Sequence, residues 1–147
     1  MDPQEYVIIV ADDDEDDLLL ISQVFNSLQR GFPLQTVVNG KELLDYLELL
    51  SSPAGWNTRK KPGLVFLDIN MPVMNGIETL RQIRDHSHYS CLPVVMLTTV
   101  HDQQTIDVCY DIGVVGFLTK PANFDVFTEK INGILNYWFE WVNHPMQ

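Results

Sequence analysis

The sequence predicts an α/β domain of the doubly wound type, in which helices cover both faces of a parallel five-stranded sheet. Five apolar runs of strand length alternate with five stretches of helical period. The short runs are continuously apolar, as expected for parallel strands buried on both faces. Polar side chains stand directly after four of the runs, at the strand ends where such sheets collect their functional groups.

The first half of the chain predicts two strands and two helices. The run Tyr6–Ala11 is the first strand, and apolar residues spaced three and four apart over 18–28 predict a helix. Residues 33–38 predict a short second strand. Leucines over 43–50 form one face of a second helix, which follows the turn or helix entry at Asn39-Gly40.

The second half repeats this alternation after a loop. Residues 51–63 are rich in Ser, Pro, Gly and basic residues and predict an exposed loop that is longer than most connections. The apolar runs that follow are 64–67, 93–97 and 114–118, and the helical stretches are 77–84, 102–112 and 124–142.

Composition bounds the class of protein. At 147 residues the chain fits one domain, and its net charge of −11 argues against nucleic-acid binding through a general basic surface. Cys91 and Cys109 match no metal spacing or disulfide framework. The acidic N-terminus and the lack of an apolar run of about 20 residues predict a cytoplasmic protein that does not contact a membrane. The four histidines are scattered and are expected at the surface.

An acidic run, residues 12–17, follows the first strand. Two carboxylates about 4 Å apart repel by roughly 4 kcal/mol at an effective dielectric near 20, so the run suggests a cation site or partly protonated groups. A solvated first helical turn is the alternative, because carboxylates are favoured at a helix N-terminus. Both interpretations can hold, with Asp12 and Asp13 forming a site and Asp16 and Asp17 an exposed turn.

The polar groups after the strands form one set. Asp12 and Asp13 follow the first strand, Asp68 the third, Thr98 the fourth and Lys120 the fifth. Hard oxygen ligands of this kind suit Mg²⁺. A lysine and a hydroxyl opposite the cation would hold a tetrahedral anion, so the set favours phosphoryl chemistry.

The chain resembles response-regulator receiver domains over residues 6–138. The motifs that carry this resemblance are Val10-Ala11-Asp12-Asp13-Asp14-Glu15-Asp16, Leu67-Asp68-Ile69-Asn70-Met71-Pro72 with Asn75-Gly76, Met96-Leu97-Thr98-Thr99, and Gly116-Phe117-Leu118-Thr119-Lys120-Pro121. The resemblance implies a flavodoxin-like fold with a sheet of order 2-1-3-4-5 and a single receiver domain over 1–147. It also implies a signalling switch rather than an enzyme, with slow Mg²⁺-dependent self-phosphorylation and dephosphorylation.

The resemblance also assigns roles to the strand-end residues. Asp68 would accept a phosphoryl group from a phosphohistidine. Asp13, Asp68 and the backbone carbonyl of Asn70 would bind Mg²⁺, and Asp12 would act through water. Lys120 would pair with Asp68 and then with the phosphoryl oxygens.

Two further residues would change conformation when the domain becomes phosphorylated. Thr98 would turn toward the phosphoryl group, with Thr99 as a close rival, and Phe117 would follow it inward. A cis peptide bond between Lys120 and Pro121 would direct the lysine.

The implied partners are a sensor histidine kinase or phosphotransfer protein and a downstream protein. The downstream protein would bind the surface formed by the fourth helix, fifth strand and fifth helix. The same surface could also form a homodimer. The aromatic ending Tyr137–Trp141, part of an extension of the last helix over 137–147, more weakly resembles receivers that partner phytochrome-type kinases.

Two other classes remain as rivals. A haloacid-dehalogenase-type phosphatase also uses an Asp after a strand, but it needs a second carboxylate where this chain has Asn70. A binding module with a receiver fold that works without phosphorylation would lack one of the site residues.

Overall fold

A computed structural model describes residues 2–52, 60–120 and 123–146 and shows the expected alternation of strands and helices. The five strands pair in parallel in the order β2-β1-β3-β4-β5, which confirms the predicted flavodoxin-like fold. The strands are β1 Tyr6–Ala11, β2 Leu34–Val37, β3 Lys61–Leu67, β4 Val94–Thr98 and β5 Gly116–Thr119. The helices are α1 Glu15–Leu28, α2 Gly40–Ser51, α3 Gly76–Asp85, α4 Gln103–Ile112 and α5 Phe124–Asn136.

Each of these five helices begins after an Asp or Asn whose side chain accepts a hydrogen bond from a backbone N–H of the first turn. Such a cap satisfies a donor that has no partner inside the helix. At α1 this residue is Asp14, which accepts from the N–H groups of Asp16 and Asp17. The second half of the acidic run therefore begins α1, as the helix-start interpretation predicts. The caps of the other helices are Asn39, Asn75, Asp102 and Asn123.

The core consists of two layers, one on each face of the sheet. Alternate residues of a strand point to opposite faces. In β1, Val7, Ile9 and Ala11 face the layer under α2, α3 and α4, while Ile8 and Val10 face the layer under α1 and α5. The sheet is thus covered on both sides, and its strand ends meet at one edge of the molecule.

Strand β3 begins at Lys61, three residues earlier than the sequence predicts. Pro62 and Gly63 are turn-forming residues, and for that reason they were assigned to the preceding loop. The pairing of β1 with β3 shifts its register between Val7 and Ile8, which leaves Gly63 as an extra residue in β3. Such a bulge accommodates proline and glycine in a strand.

The C-terminal segment packs further into the core than the sequence indicates. Helix α5 continues as a π-helical turn over Tyr137–Trp141, in which the N–H of Val142 donates to the carbonyl of Tyr137 at 3.2 Å. This change of helical period buries Phe139 and leaves Trp141 67% exposed. Within the described part of the chain no helix is both long and apolar enough to span a membrane.

His144 lies in the core, so the expectation that all four histidines are at the surface was wrong. Its Nε2 lies 2.6 Å from the carbonyl oxygen of Gly63, and its Nδ1 accepts from the N–H of Met146 at 3.0 Å. A carbonyl can only accept, so Nε2 donates and the ring is neutral. Burial, the largest cause, lowers the pKa of His144. Nothing in the local sequence pattern signals this packing, because the partner carbonyl lies 81 residues away.

Candidate functional site

Backbone hydrogen bonds carry the sheet one residue beyond its strands and so place the candidate residues side by side. The N–H of Asp12 donates to the carbonyl of Val37, and the N–H of Asp68 donates to the carbonyl of Ala11, each at 3.0 Å. The N–H of Lys120 donates to the carbonyl of Thr98 at 2.9 Å. The backbone at Asp12, Asp68 and Lys120 is therefore held in place by the neighbouring strands.

Three carboxylates form the centre of the site. One oxygen each of Asp12, Asp13 and Asp68 lie within 4.8 Å of one another. Asp12 and Asp68 are buried, whereas Asp13 is exposed at the rim. This all-oxygen donor set, open on one side, fits Mg²⁺ or Mn²⁺, which keep several waters. Asn70 is exposed and lies two residues after Asp68 in the loop between β3 and α3.

The Lys120 ammonium lies among carboxylates. Its Nζ donates to Asp12 Oδ2 and to Asp17 Oδ2 at 2.6 Å each, and to Asp68 Oδ2 at 3.1 Å. The contact with Asp17 differs from the sequence prediction, which placed Asp17 in an exposed turn. Asp17 lies four residues before the buried Ile21 and hence on the inward face of α1, a signal that could have identified it.

Burial and the ion pairs change the ionisation of this cluster. Burial, partly opposed by the hydrogen bonds from Lys120 and the Asp14 N–H, raises the pKa of Asp12 to about 6. For Lys120, burial acts against the charge, but the hydrogen bonds to Asp12 and Asp17 outweigh it and raise its pKa. The lysine therefore stays charged at neutral pH, and the site holds a fixed cation beside an acid that protonates readily.

The two candidate switch residues lie on neighbouring strands. Thr98 is fully buried at the end of β4, where its Oγ1 accepts from the N–H of Val100 at 3.2 Å. Thr99 is exposed, which favours Thr98 as the candidate. Phe117 is half-buried on β5 and lines a groove of about 670 Å³ between α4, β5 and α5. The peptide bond between Lys120 and Pro121, expected to be cis, lies outside the described residues.

The loop from Asp68 to α3 is folded tightly against the site. The N–H of Gly76 donates to the carbonyl of Ile69 at 2.8 Å, and a Cβ at Gly76 would lie 2.2 Å from the backbone oxygen of Asp68. Val73 adopts a φ of 68°, which is rare for a β-branched residue, and Met74 donates across it to Pro72. The backbone around Asp68 is therefore held by β1, through the Asp68 N–H, and by the start of α3, through the Ile69 carbonyl.

Arranged in this way, the cluster can do one kind of chemistry well. A divalent cation between the carboxylates would lower their mutual repulsion and leave an oxygen of Asp68 beside a fixed ammonium. A tetrahedral anion arriving there would meet positive charge on two sides. Positioning and charge neutralisation of this kind provide most of the catalysis in phosphoryl transfer.

Comparison with known proteins gives a consistent result. Residues 8–132 match the family described as the response regulator receiver domain. A curated relative, the probable methanogenesis regulatory protein FilR2 of Methanothrix harundinacea, is 31% identical over 127 residues, which is 86% of this chain and 79% of that protein.

Two solved structures share nearly the whole fold. The phosphorylated cyanobacterial phytochrome response regulator RcpA aligns with a TM-score of 0.83 at 28% identity, covering 96% of this chain and 99% of that chain. The Mn²⁺-bound form of Rcp1, a response regulator of Synechocystis, aligns with a TM-score of 0.79 at 27% identity, covering 95% and 99%.

Proposed function

The chain belongs to the response regulator receiver domain family of two-component signalling, and on this premise we propose that Asp68 takes a phosphoryl group from a phosphohistidine in an Mg²⁺-dependent step. The observation that carries the proposal is the contact of the Lys120 ammonium with Asp68, 3.1 Å apart, beside the Asp12 and Asp13 carboxylates. A buried carboxylate whose orientation is fixed by a neighbouring ammonium is suited to act as a nucleophile.

The transfer exchanges one bond of phosphorus for another. A carboxylate oxygen of Asp68 attacks the phosphorus, the P–N bond to the donor imidazole breaks, and the imidazole nitrogen keeps the electron pair. Asp68 Oδ1 accepts from the N–H of Ile69 at 2.8 Å, which fixes the plane of the carboxylate. Lys120 then pairs with a phosphoryl oxygen. Asp13, Asp68 and the Asn70 carbonyl would hold Mg²⁺, with Asp12 acting through water, and the cation would supply charge neutralisation.

The product is a long-lived signal rather than the intermediate of a rapid enzyme. A phosphatase of the haloacid dehalogenase type would need an acid two residues after its nucleophile, and that position is the amide Asn70. An amide cannot act as a general acid or base. Self-phosphorylation and hydrolysis should therefore be slow, and each phosphoryl group should persist long enough to be read by a partner.

The readout is a protein contact on the α4-β5-α5 surface. Phe117 lines the groove on this surface, and Tyr110 and Tyr137 at its rim are 50% and 46% exposed. Inward rotation of Thr98 and Phe117 after phosphorylation would reshape the groove. We assign to this surface a downstream protein or a second copy of the chain, reached in the cytoplasm, with no part for nucleic acid or membrane.

The donor is assigned to a phytochrome-type histidine kinase or its phosphotransfer protein. This assignment rests on the likeness to the phosphorylated phytochrome response regulator RcpA, which extends over 96% of this chain. Residues 1–147 would carry out this function as a single receiver domain.

The test uses a small phosphodonor. The wild-type protein and Asp68→Asn are incubated with acetyl phosphate with and without MgCl₂, and the intact mass and the donor consumption are measured. We expect one phosphoryl adduct on the wild type with Mg²⁺ and none on the variant. Rapid multiple turnover of the donor would indicate a phosphatase, and the absence of any adduct would indicate a module that works without phosphorylation.

A further inference from the structure

Asp17 contacts Lys120 as closely as Asp12 does, although the sequence motifs assign a role to Asp12 and none to Asp17. Its Oδ2 accepts from Lys120 Nζ at 2.6 Å, the same distance as Asp12 and shorter than the 3.1 Å to Asp68. An ammonium has three N–H groups, so Asp12, Asp17 and Asp68 together occupy all of them. The direction of the ammonium is therefore set by three carboxylates.

The position of Asp17 on α1 explains this contact. The inward stripe of the helix begins at Asp17 and continues through the buried Ile21 and Val24. Asp16 lies in the same turn, and its N–H donates to the same capping residue, Asp14, but Asp16 is exposed. Asp17 also borders a cavity of about 40 Å³ between α1, β4 and α5; the other lining residues are Leu20, Ile21, Leu97, Lys120 and Phe127.

The three carboxylate partners of Lys120 differ in whether they could also bind a cation. Asp12 and Asp68 belong to the carboxylate cluster that can hold a cation, whereas Asp17 does not. A cation and then a phosphoryl group would therefore draw Asp12 and Asp68 into other interactions. Asp17 would then be the partner left to hold the lysine.

We propose that Asp17 is a positioning residue that anchors Lys120, so that the ammonium stays aimed at Asp68 while the cation and the phosphoryl group arrive. This inference rests on the proposed phosphoryl transfer. Asp17 does not touch the phosphorus or the cation in this account and acts through the lysine. A side chain held in its reactive geometry spares the reaction a cost that can reach about a hundredfold in rate for a displacement near 1 Å.

The test compares three substitutions in the first turn of α1. Asp17→Asn removes the charge that anchors Lys120, Asp17→Glu keeps it, and Asp16→Asn is the matched control for loss of a helix-start carboxylate. Phosphorylation by acetyl phosphate is followed at saturating MgCl₂ and donor. We expect Asp17→Asn to be about tenfold slower, with a half-saturating Mg²⁺ concentration within about threefold of wild type. Asp17→Glu should recover most of the rate, and Asp16→Asn should match wild type.

A second measurement separates this inference from the proposed function. In ¹⁵N-lysine-labelled protein, the Lys120 ammonium resonance should shift or exchange faster in Asp17→Asn and stay unchanged in Asp16→Asn. An unchanged resonance in Asp17→Asn, or a phosphorylation rate at or above wild type, overturns the anchoring role. A wild type that takes up no phosphoryl group overturns the proposed function, while the resonance still decides whether Asp17 anchors Lys120.

Discussion

Lys120 is the residue on which the metal-free site depends most. It is the ammonium that Asp12, Asp17 and Asp68 all contact, and its side chain is 13% exposed. Replacing it by methionine leaves buried carboxylates without their partner. We expect Lys120→Met to lower the free energy of unfolding in urea by about 3 kcal/mol at neutral pH without Mg²⁺.

The same variant tests whether a bound cation can replace the positive charge of Lys120. Saturating MgCl₂ should restore part of the lost stability in Lys120→Met, because the cation would relieve the repulsion among Asp12, Asp13 and Asp68. An exposed pair serves as the control: Lys41→Met removes the partner of Asp45 and should change stability by less than about 1 kcal/mol. Equal losses in the two variants would contradict the account of the buried cluster.

Asp12 makes Mg²⁺ binding dependent on pH. Its pKa is raised to about 6 in the metal-free protein, first of all by burial. The protonated form of an acid is favoured below its pKa, and a carboxylic acid that has kept its proton no longer attracts a cation, whether directly or through a water. The Mg²⁺ affinity should therefore be constant well above pH 6 and fall by up to about tenfold per unit below it. Calorimetric titrations across this range would show no fall below pH 6 if Asp12 played no part.

At the scale of the elements, Gly76 fixes how closely the β3-α3 loop approaches the site. A Cβ there would lie 2.2 Å from the oxygen of Asp68 and 2.9 Å from its carbonyl carbon, and backbone cannot give way as a side chain can. We expect Gly76→Ala to lower the free energy of unfolding by about 2 kcal/mol or more and to weaken Mg²⁺ binding. Gly133 on α5 has nothing near its Cβ position, so Gly133→Ala is the control and should be neutral or stabilising.

The C-terminal segment should loosen as pH falls. The pKa of His144 is lowered in the folded state from its ordinary value near 6.5, so the unfolded chain binds its proton first. The contribution of the neutral ring is thus present above about pH 6.5 and is lost as pH falls below it. Protonation at Nδ1 would also break the bond from the Met146 N–H.

The comparison with His144→Gln isolates this effect from the other titrating groups. The stability difference between wild type and variant, measured by urea unfolding, should shrink as pH falls from 7.5 toward 5. His101→Gln, at a histidine that is exposed on the loop after β4, is the matched control substitution. A difference that stays constant with pH would contradict a buried neutral His144.

The elements show which parts of the structure can be predicted from sequence. Period and apolar runs predict all five strands and helices, because local pattern reports which face is buried. The start of β3 was missed because a bulge admits Pro62 and Gly63, and bulges depend on the partner strand. The burial of Phe139 was missed because the helix changes its period after Asn136.

The site was predictable to a similar extent. The rule that functional groups follow parallel strands brings Asp12, Asp13, Asp68, Thr98 and Lys120 together. The partnership of Asp17 with Lys120 was not predicted, since it joins residues 103 apart and looks like an ordinary helix start in the sequence. The roles of these residues remain predictions until phosphorylation is measured.

At the scale of the whole molecule, the α4-β5-α5 groove predicts a change of association on phosphorylation. If a second copy binds there, light scattering over a concentration series should show a shift toward dimer with acetyl phosphate and Mg²⁺. Tyr110→Glu at the rim should abolish the shift, because a buried charge opposes association. Leu49→Glu on α2, which is equally exposed but on another face, should leave it intact. A monomer throughout would assign the groove to a different protein.

A phosphoryl group on Asp68 can be located by chemical reduction of the modified residue. After incubation with acetyl phosphate and MgCl₂, borohydride reduction converts a phosphorylated aspartate to homoserine, which peptide mass spectrometry identifies by position. We expect homoserine at position 68, dependent on Mg²⁺ and absent without the donor. Homoserine at Asp12 or Asp13 instead, or at no residue, would contradict this expectation.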